Sequence, residues 1–176
     1  MQASDAGRDL FQVFAVPFRV YPNSWQFFPP KFVIVLIVSF LALQAEPIEM
    51  RIFWGLVYGA LLCLSLFLHI IGHISASKRV QPPMSHLLMT PILIETRYDN
   101  DPDDVPPRVH LIRSLGGPIM TFILGLLGLL IYWLFPVHVI LYFAMANFVL
   151  LLVVLMPFPT VDGEVIWREL RRLKKQ

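Results

Sequence analysis

The apolar positions of the chain are concentrated in four runs. A helix that crosses a bilayer needs roughly 20 mainly apolar residues, because the hydrocarbon core is about 30 Å thick and a helix rises about 1.5 Å per residue. Three runs meet this requirement without a formal charge: Ile52–Ile71, Leu115–Phe135 and Val137–Met156. A shorter run, Phe32–Ala45, follows aromatic residues that are typical of membrane interfaces. The pattern predicts four transmembrane helices, with a re-entrant or interfacial helix as the alternative for the first.

Composition agrees with a membrane protein. The chain of 176 residues is 57% hydrophobic and only 15% charged, whereas a typical soluble domain has about 25% charged residues. These values exclude a disordered chain and argue against a soluble globular domain, whose surface cannot hide so many apolar side chains. The net charge of +2 gives no reason to expect nucleic acid as a partner. The partners we expect are the lipid bilayer and other membrane proteins.

The basic residues predict the orientation in the membrane. Four spans place the N-terminus, the 74–114 loop and the C-terminus on one side. That side carries every lysine and arginine of the chain except Arg51. Because basic residues favour the cytoplasmic side, we predict an integral, multi-pass membrane protein with both termini in the cytoplasm. The basic stretch Arg168–Lys175 serves as a topological anchor in this interpretation, with binding of anionic lipid as the alternative.

Three segments follow from these patterns. We predict an N-terminal cytoplasmic or interfacial segment (1–31), a transmembrane core (32–163) and a basic cytoplasmic tail (164–176). Within the 74–114 loop, Ser85–Thr96 is apolar and partly β-branched but too short to span the membrane, so it predicts a strand or hairpin. The fold class is therefore an all-α polytopic membrane protein with about four transmembrane helices and a short β-hairpin in this loop. Small residues at a spacing of four predict close helix packing, at Gly55, Gly59 and Cys63 and at Gly117, Thr121 and Gly125.

Polar residues inside spans are rare and mark candidate functional sites. His69 and His73 lie four apart at the end of the second run, so they share one face of a helix and can bind one metal ion. Ser65, one turn earlier, is a candidate hydrogen-bond partner of a histidine. After the fourth run, Pro157 and Pro159 break the helix just before Asp162.

Asp162 is therefore expected at the same depth as the two histidines. Two histidines and one carboxylate form a zinc ligand set with an open fourth position. The histidine spacing alone also suits the axial ligation of haem or pigment, or a plain pair of core groups.

Taken together, these motifs resemble the site-2 protease (M50) family of intramembrane zinc metalloproteases. The family motif HExxH matches His69–His73, and its motif NxxPxxxLDG aligns with Val154–Gly163. The pair Lys78-Arg79, the stretch Ser114–Pro118 and the segment Val16–Pro22 also look like family members. The resemblance covers nearly the whole chain and implies a site-2 protease-like transmembrane core without further domains. It also implies that His69, His73 and Asp162 are zinc ligands.

Two polar positions of the family motifs depart from the pattern and are apolar in this chain. The catalytic glutamate of the motif falls at Ile70, and the motif asparagine falls at Val154. Isoleucine cannot take a proton from water or pass one to a leaving amine, although such a group typically contributes about 10²–10⁴-fold to catalysis. No catalytic residue is therefore assigned, and Glu164 and Glu95 are the candidate replacements.

These departures predict a pseudoprotease that acts as a binding, assembly or structural subunit for a transmembrane partner or a larger membrane complex. An active but divergent intramembrane zinc protease is the first alternative. The second is a haem- or pigment-associated subunit of a bioenergetic complex, with axial ligands among His69, His73, His110 and His138.

Overall fold

A computed structural model describes residues 7–99 and 104–175 of the chain. Within these residues the protein is mostly helical, and four helices are long and apolar enough to cross a membrane. They are α1 (Phe28–Ala42), α2 (Ile48–Ser77), α3 (Pro107–Leu134) and α4 (His138–Leu155). A 3₁₀ turn over Ser24–Phe27 leads into α1 and lengthens that span to 19 residues. The prediction of a multi-pass membrane protein with four spans is confirmed.

Two of the helices are longer than the apolar runs that predicted them. Helix α2 has 30 residues, which is about 45 Å and exceeds the thickness of the hydrocarbon core. Helix α3 begins at Pro107, eight residues before the predicted run, because proline is favoured in the first turn of a helix. The part of the 74–114 loop from residue 107 onwards is therefore helical.

The helices pack closely at positions where the chain has glycine. A Cβ atom on Gly55 or Gly59 of α2 would collide with Leu36 or Phe32 of α1. Between α2 and α3, a Cβ atom on Gly72 would collide with the carbonyl group of Gly116. The contacts of Gly55 and Gly59 agree with the predicted small-residue packing. The contact of Gly72 with Gly116, which lies outside the predicted stripes, brings α3 against the face of α2 that carries the histidines.

A four-stranded sheet lies at the end of the helical bundle where α1 begins and α2 ends. Its order is β1-β2-β3-β4, with antiparallel outer pairs and a parallel central pair. The strands are β1 (Arg8–Val13), β2 (Val16–Val20), β3 (His86–Met89) and β4 (Ile94–Arg97). The hairpin of β3 and β4 confirms the strand prediction for Ser85–Thr96.

The N-terminal hairpin corrects the expectation of an all-α fold. Residues 8–20, within the predicted 1–31 segment, form β1 and β2. The turn between them has Phe14 and Ala15 at φ 49° and 63°. Such turns normally carry glycine or asparagine, so this sequence lacks the usual hairpin signal.

One face of the sheet packs against α2 at the residues that directly follow the two histidines. Ile70 and Ile74 are 5% and 1% exposed, and they join a buried cluster with Leu87 of β3 and Phe18 of β2. Leu87 is completely buried. The sheet is thus fixed to the end of α2 by apolar contacts.

The predicted basic tail is largely helical. Helix α5 (Asp162–Leu173) follows α4 after six residues and packs mainly against α3. Its first residue is Asp162, so this helix positions the third metal-site candidate.

Candidate metal centre

The two histidines lie on the same face of α2, which is the face that α3 covers. His69 and His73 are 8% and 5% exposed. Their Nε2 atoms point toward each other at 3.1 Å. The spacing of four residues produces this pairing because one helical turn places both side chains on one face.

The irregular segment after α4 brings Asp162 to the same place. Thr160 has a φ of 73°, and its N–H donates to Glu164 Oε2 at 3.1 Å, which fixes the chain at the start of α5. Gly163 lies directly on the end of α4, where a Cβ atom would collide with the backbone of Leu155 and Met156. Glycine after Asp162 therefore permits α5 to start close to the end of α4.

Asp162 bridges the two histidines. Its Oδ2 atom is 3.1 Å from Nε2 of His69, and its Oδ1 atom is 3.2 Å from Nε2 of His73. The Asp162 side chain is 19% exposed, so the group is more open on the aspartate side. Among the described residues, these three form the group of side chains able to hold a metal ion.

Hydrogen bonds at Nδ1, on the side of each histidine ring opposite Asp162, define the tautomers. Nδ1 of His73 lies 2.8 Å from the Arg113 carbonyl oxygen, which can only accept, so Nδ1–H donates. Nδ1 of His69 lies 2.8 Å from the Thr121 hydroxyl oxygen, which itself donates to the Gly117 carbonyl oxygen. Nδ1–H of His69 therefore donates as well. In the neutral form of each ring, Nε2 is left as a bare acceptor.

The arrangement of acceptors fits a zinc ion. Two bare nitrogens and a carboxylate face one another in a buried site, and such a group is stable only with a shared proton or a cation. Zinc–ligand distances of about 2.0–2.1 Å in a tetrahedral site correspond to ligand separations of about 3.3 Å, close to the observed values. Glycine at position 117 keeps the space next to these nitrogens free, since a Cβ atom there would collide with Nε2 of both histidines. The three residues would hold the ion, and zinc would supply Lewis acidity there.

Asp162 is charged in this setting. Burial alone would raise the pKa of its carboxyl group, but the positive charge of His73 when that ring is protonated, together with hydrogen bonds from both rings, outweighs that effect and lowers the pKa to about 2. The carboxylate is also favoured by its position in the first turn of α5, where the helix dipole is positive. An anionic oxygen ligand is thus available at neutral pH.

The two polar positions of the family motifs that are apolar in this chain are buried. Ile70 points away from the histidine pair into the apolar cluster under the sheet. Val154 is 9% exposed near the end of α4.

The candidate replacement carboxylates do not join the histidines. Glu95 is ion-paired with Arg97 of the same strand, and Glu164 accepts from the backbone N–H of Thr160. Among the described residues, Asp162 is therefore the one carboxylate in the group.

The remaining histidines lie elsewhere. His110 is in the first turns of α3, and His138 begins α4 at the opposite end of the bundle. Nδ1 of His138 is 2.8 Å from the Tyr58 hydroxyl group, and its ring packs edge-on against Trp54. The haem or pigment hypothesis gains no support from His69 and His73, because their Nε2 atoms already face each other and Asp162.

Thr121, predicted only as part of a helix-packing stripe, is a site residue. The prediction that Ser65 is the hydrogen-bond partner of a histidine was wrong. Ser65 donates to the Leu61 carbonyl oxygen and accepts from Asn147, because its side chain points toward α4. The signal for Thr121 was a hydroxyl group in an apolar span, one turn from Gly117.

The comparisons with known proteins concern the fold. No protein-family model and no curated protein matches the chain. A solved structure, the site-2 protease from Methanocaldococcus jannaschii, matches with a TM-score of 0.62 and 22% sequence identity. The match covers 96% of this chain and 73% of that one. Almost the whole chain therefore has a site-2 protease-like fold in a multi-pass membrane protein.

Proposed function

We propose that this chain is a site-2 protease-like membrane protein that holds zinc but does not hydrolyse peptide bonds efficiently. Its role is to bind a transmembrane partner as an assembly or structural subunit. The observation that carries the proposal is the environment of Ile70, next in sequence to the first histidine of the metal-site group.

Ile70 lacks the catalytic group of the family motif, and it also has a packing role of its own. Its side chain contributes to the apolar cluster that includes Phe18 and Leu87, so the sheet is held on α2 beside the histidines. A glutamate at this position would place a carboxylate among apolar side chains, and an unpaired buried charge costs several kcal/mol. The local packing is thus adapted to an apolar residue.

No second carboxylate compensates for Ile70 in the described residues. Asp162 bridges the histidines, so it is a ligand candidate, while Glu95 and Glu164 have partners of their own. Loss of general acid–base catalysis typically lowers a rate by about 10²–10⁴-fold. A retained ligand set without a base supports a binding role better than an efficient hydrolase.

The proposal is tested by searching for cleavage products in cells. Membrane proteins are compared by mass spectrometry of their new termini in cells that contain the wild-type chain, His69→Ala/His73→Ala or Ile70→Glu. We expect no termini within membrane-spanning segments that depend on His69 and His73, and no gain with Ile70→Glu. Cleavage products that disappear in the double alanine variant would overturn the proposal.

Because His69, His73 and Asp162 lie together, a second candidate function is that of a divergent intramembrane zinc protease. Asp162 remains accessible, so a water molecule can reach the group. This candidate requires Glu164 or Glu95 to act as a base after a local rearrangement. If cleavage is detected, its loss in Glu164→Gln or Glu95→Gln would support this candidate. Cleavage that continues in both variants would exclude this version of it.

A further inference from the structure

Helix α5 contacts the end of the spanning helix α4. Its Trp167 donates from Nε1 to the carbonyl oxygen of Leu155, the last residue of α4, at 3.1 Å. This bond places the middle of α5 level with the end of α4, the depth at which a spanning helix leaves the bilayer. Tryptophan is enriched at this depth because its ring is apolar and its N–H is polar.

One face of α5 combines exposed apolar and basic side chains. Trp167, Leu170, Arg171 and Lys174 follow the spacing i, i+3, i+4, i+7, so they form one strip along the helix. Trp167 and Leu170 are 48% and 37% exposed, and both basic residues are exposed as well. These four residues are called the α5 strip.

The basic residues on the other flank of α5 have a different role. Glu169 is completely buried, and its carboxylate accepts from Arg168 at 2.8 Å and from Arg172 at 3.0 Å. In the part of the chain that the structure describes, Arg171 and Lys174 have no such carboxylate partner. The basic residues of α5 that lack a carboxylate partner therefore lie on the same face as the exposed tryptophan and leucine.

We propose that the α5 strip binds the headgroups of anionic phospholipids. The apolar residues enter the boundary of the acyl chains, and Arg171 and Lys174 contact the phosphate groups, as in an interfacial amphipathic helix. Because Asp162 is the first residue of the same helix, this contact also stabilises Asp162 beside His69 and His73. That second consequence rests on the proposed zinc site, whereas the lipid contact does not.

The lipid contact is tested through the fluorescence of Trp167. Of the four tryptophans in the chain, three are replaced (Trp25→Phe, Trp54→Phe, Trp133→Phe), and the full chain is reconstituted in bilayers of phosphatidylglycerol and phosphatidylcholine. Bromine is placed on the acyl chains of one lipid or the other at constant composition. We expect stronger quenching by the brominated anionic lipid, with an enrichment of roughly fivefold per cation, which declines in concentrated salt.

Two variants with equal loss of charge identify the surface. Arg171→Gln/Lys174→Gln should abolish the preference for anionic lipid. Arg79→Gln/Arg108→Gln, which removes two exposed charges elsewhere on the same side of the membrane, should retain it. Equal quenching by both lipids, quenching by neither, or a preference that survives in Arg171→Gln/Lys174→Gln would overturn the proposal.

A measurement on chains with all four tryptophans covers the case in which the triple tryptophan variant does not fold. Native mass spectrometry counts the anionic and neutral lipids that remain bound to the wild-type chain and to each glutamine variant. Fewer anionic lipids on Arg171→Gln/Lys174→Gln than on Arg79→Gln/Arg108→Gln support the proposal. Equal numbers contradict it.

The effect on Asp162 is measured as zinc affinity in bilayers with and without phosphatidylglycerol. We expect tighter binding with the anionic lipid, and a smaller difference in Arg171→Gln/Lys174→Gln. Equal affinity in both bilayers would overturn the link between the lipid contact and Asp162. Absence of zinc binding in either bilayer would overturn that link together with the proposed zinc site, while the quenching of Trp167 still decides the lipid contact.

Discussion

At the scale of single residues, the hydrogen bonds behind the histidines determine what the site can bind. Thr121 and the Arg113 carbonyl group each occupy the Nδ1 side of one ring, so both Nε2 atoms face Asp162. Such partners fix the tautomer and the orientation of a metal ligand, and losing one typically lowers metal affinity by about 10–100-fold.

Replacing Thr121 tests this role directly. Thr121→Val keeps the shape of the side chain but removes the oxygen that accepts from Nδ1 of His69. We expect zinc affinity to fall by about 10–100-fold, measured by competition with a chelator of known affinity. Thr121→Ser retains the hydroxyl group and should bind zinc nearly as well as the wild type. Unchanged affinity in Thr121→Val would contradict the role assigned to Thr121.

The sequence predicted the three members of the metal-site group but not their hydrogen-bond partners. His69, His73 and Asp162 were identified by spacing and by a proline-broken helix, and the structure brings them together. That zinc binds them stays a prediction. Thr121 and Ser65 are both hydroxyl residues on apolar spans, and the packing of α3 and α4 against α2 decides which one meets His69. Helix α3 brings Thr121 to Nδ1 of His69, whereas Asn147 of α4 engages Ser65.

At the scale of the elements, the close approach of α2 and α3 creates the space for the site. Gly117 of α3 lies directly opposite the histidines of α2, and both rings are already fixed by bonds at Nδ1. The rings therefore cannot turn away without losing a hydrogen bond.

Adding one methyl group at Gly117 should fill the space beside the histidine Nε2 atoms that a zinc ion would need. In Gly117→Ala the new Cβ atom would lie 2.5 Å from Nε2 and Cε1 of His69 and would also collide with His73. We expect zinc binding to be lost while the helix content measured by circular dichroism is unchanged. Gly125→Ala, two turns along the same helix, is the control, since its nearest neighbour is the Phe148 ring at 3.0 Å. Normal zinc binding in Gly117→Ala would contradict the geometry.

The attachment of the sheet to α2 also belongs to this scale. Leu87 is fully buried between the sheet and α2, whereas Ile92 in the β3–β4 turn is 78% exposed. Leu87→Ala should lower the free energy of unfolding in mild detergent by about 2–5 kcal/mol. Ile92→Ala should change it by no more than about 0.5 kcal/mol. Equal effects would mean that the sheet does not depend on this contact.

The helices could be predicted from the sequence far better than the sheet. A long apolar run is a strong signal for a span, and all four runs correspond to observed helices. Strand β2 pairs with β3, which is separated from it by two transmembrane helices. The alternation of such short strands does not reveal so distant a partner.

At the scale of the whole molecule, the described chain combines a membrane core with a sheet and helix α5, which meet at one site. Helix α2 supplies the histidines, α5 supplies Asp162, and the sheet covers Ile70. Zinc would therefore connect α5 to α2, and the site can contribute to assembly without catalysing a reaction. Binding of zinc by the native chain would also raise its stability, because the ligands come together only in the folded state.

The proposed zinc site is tested by the metal content of the mildly solubilised chain, wild type beside His69→Ala/His73→Ala. We expect about one zinc ion per wild-type chain, as for a single three-ligand site, and none in the double variant. A wild-type chain without zinc, or a double variant that keeps it, would show that these residues do not form a zinc site.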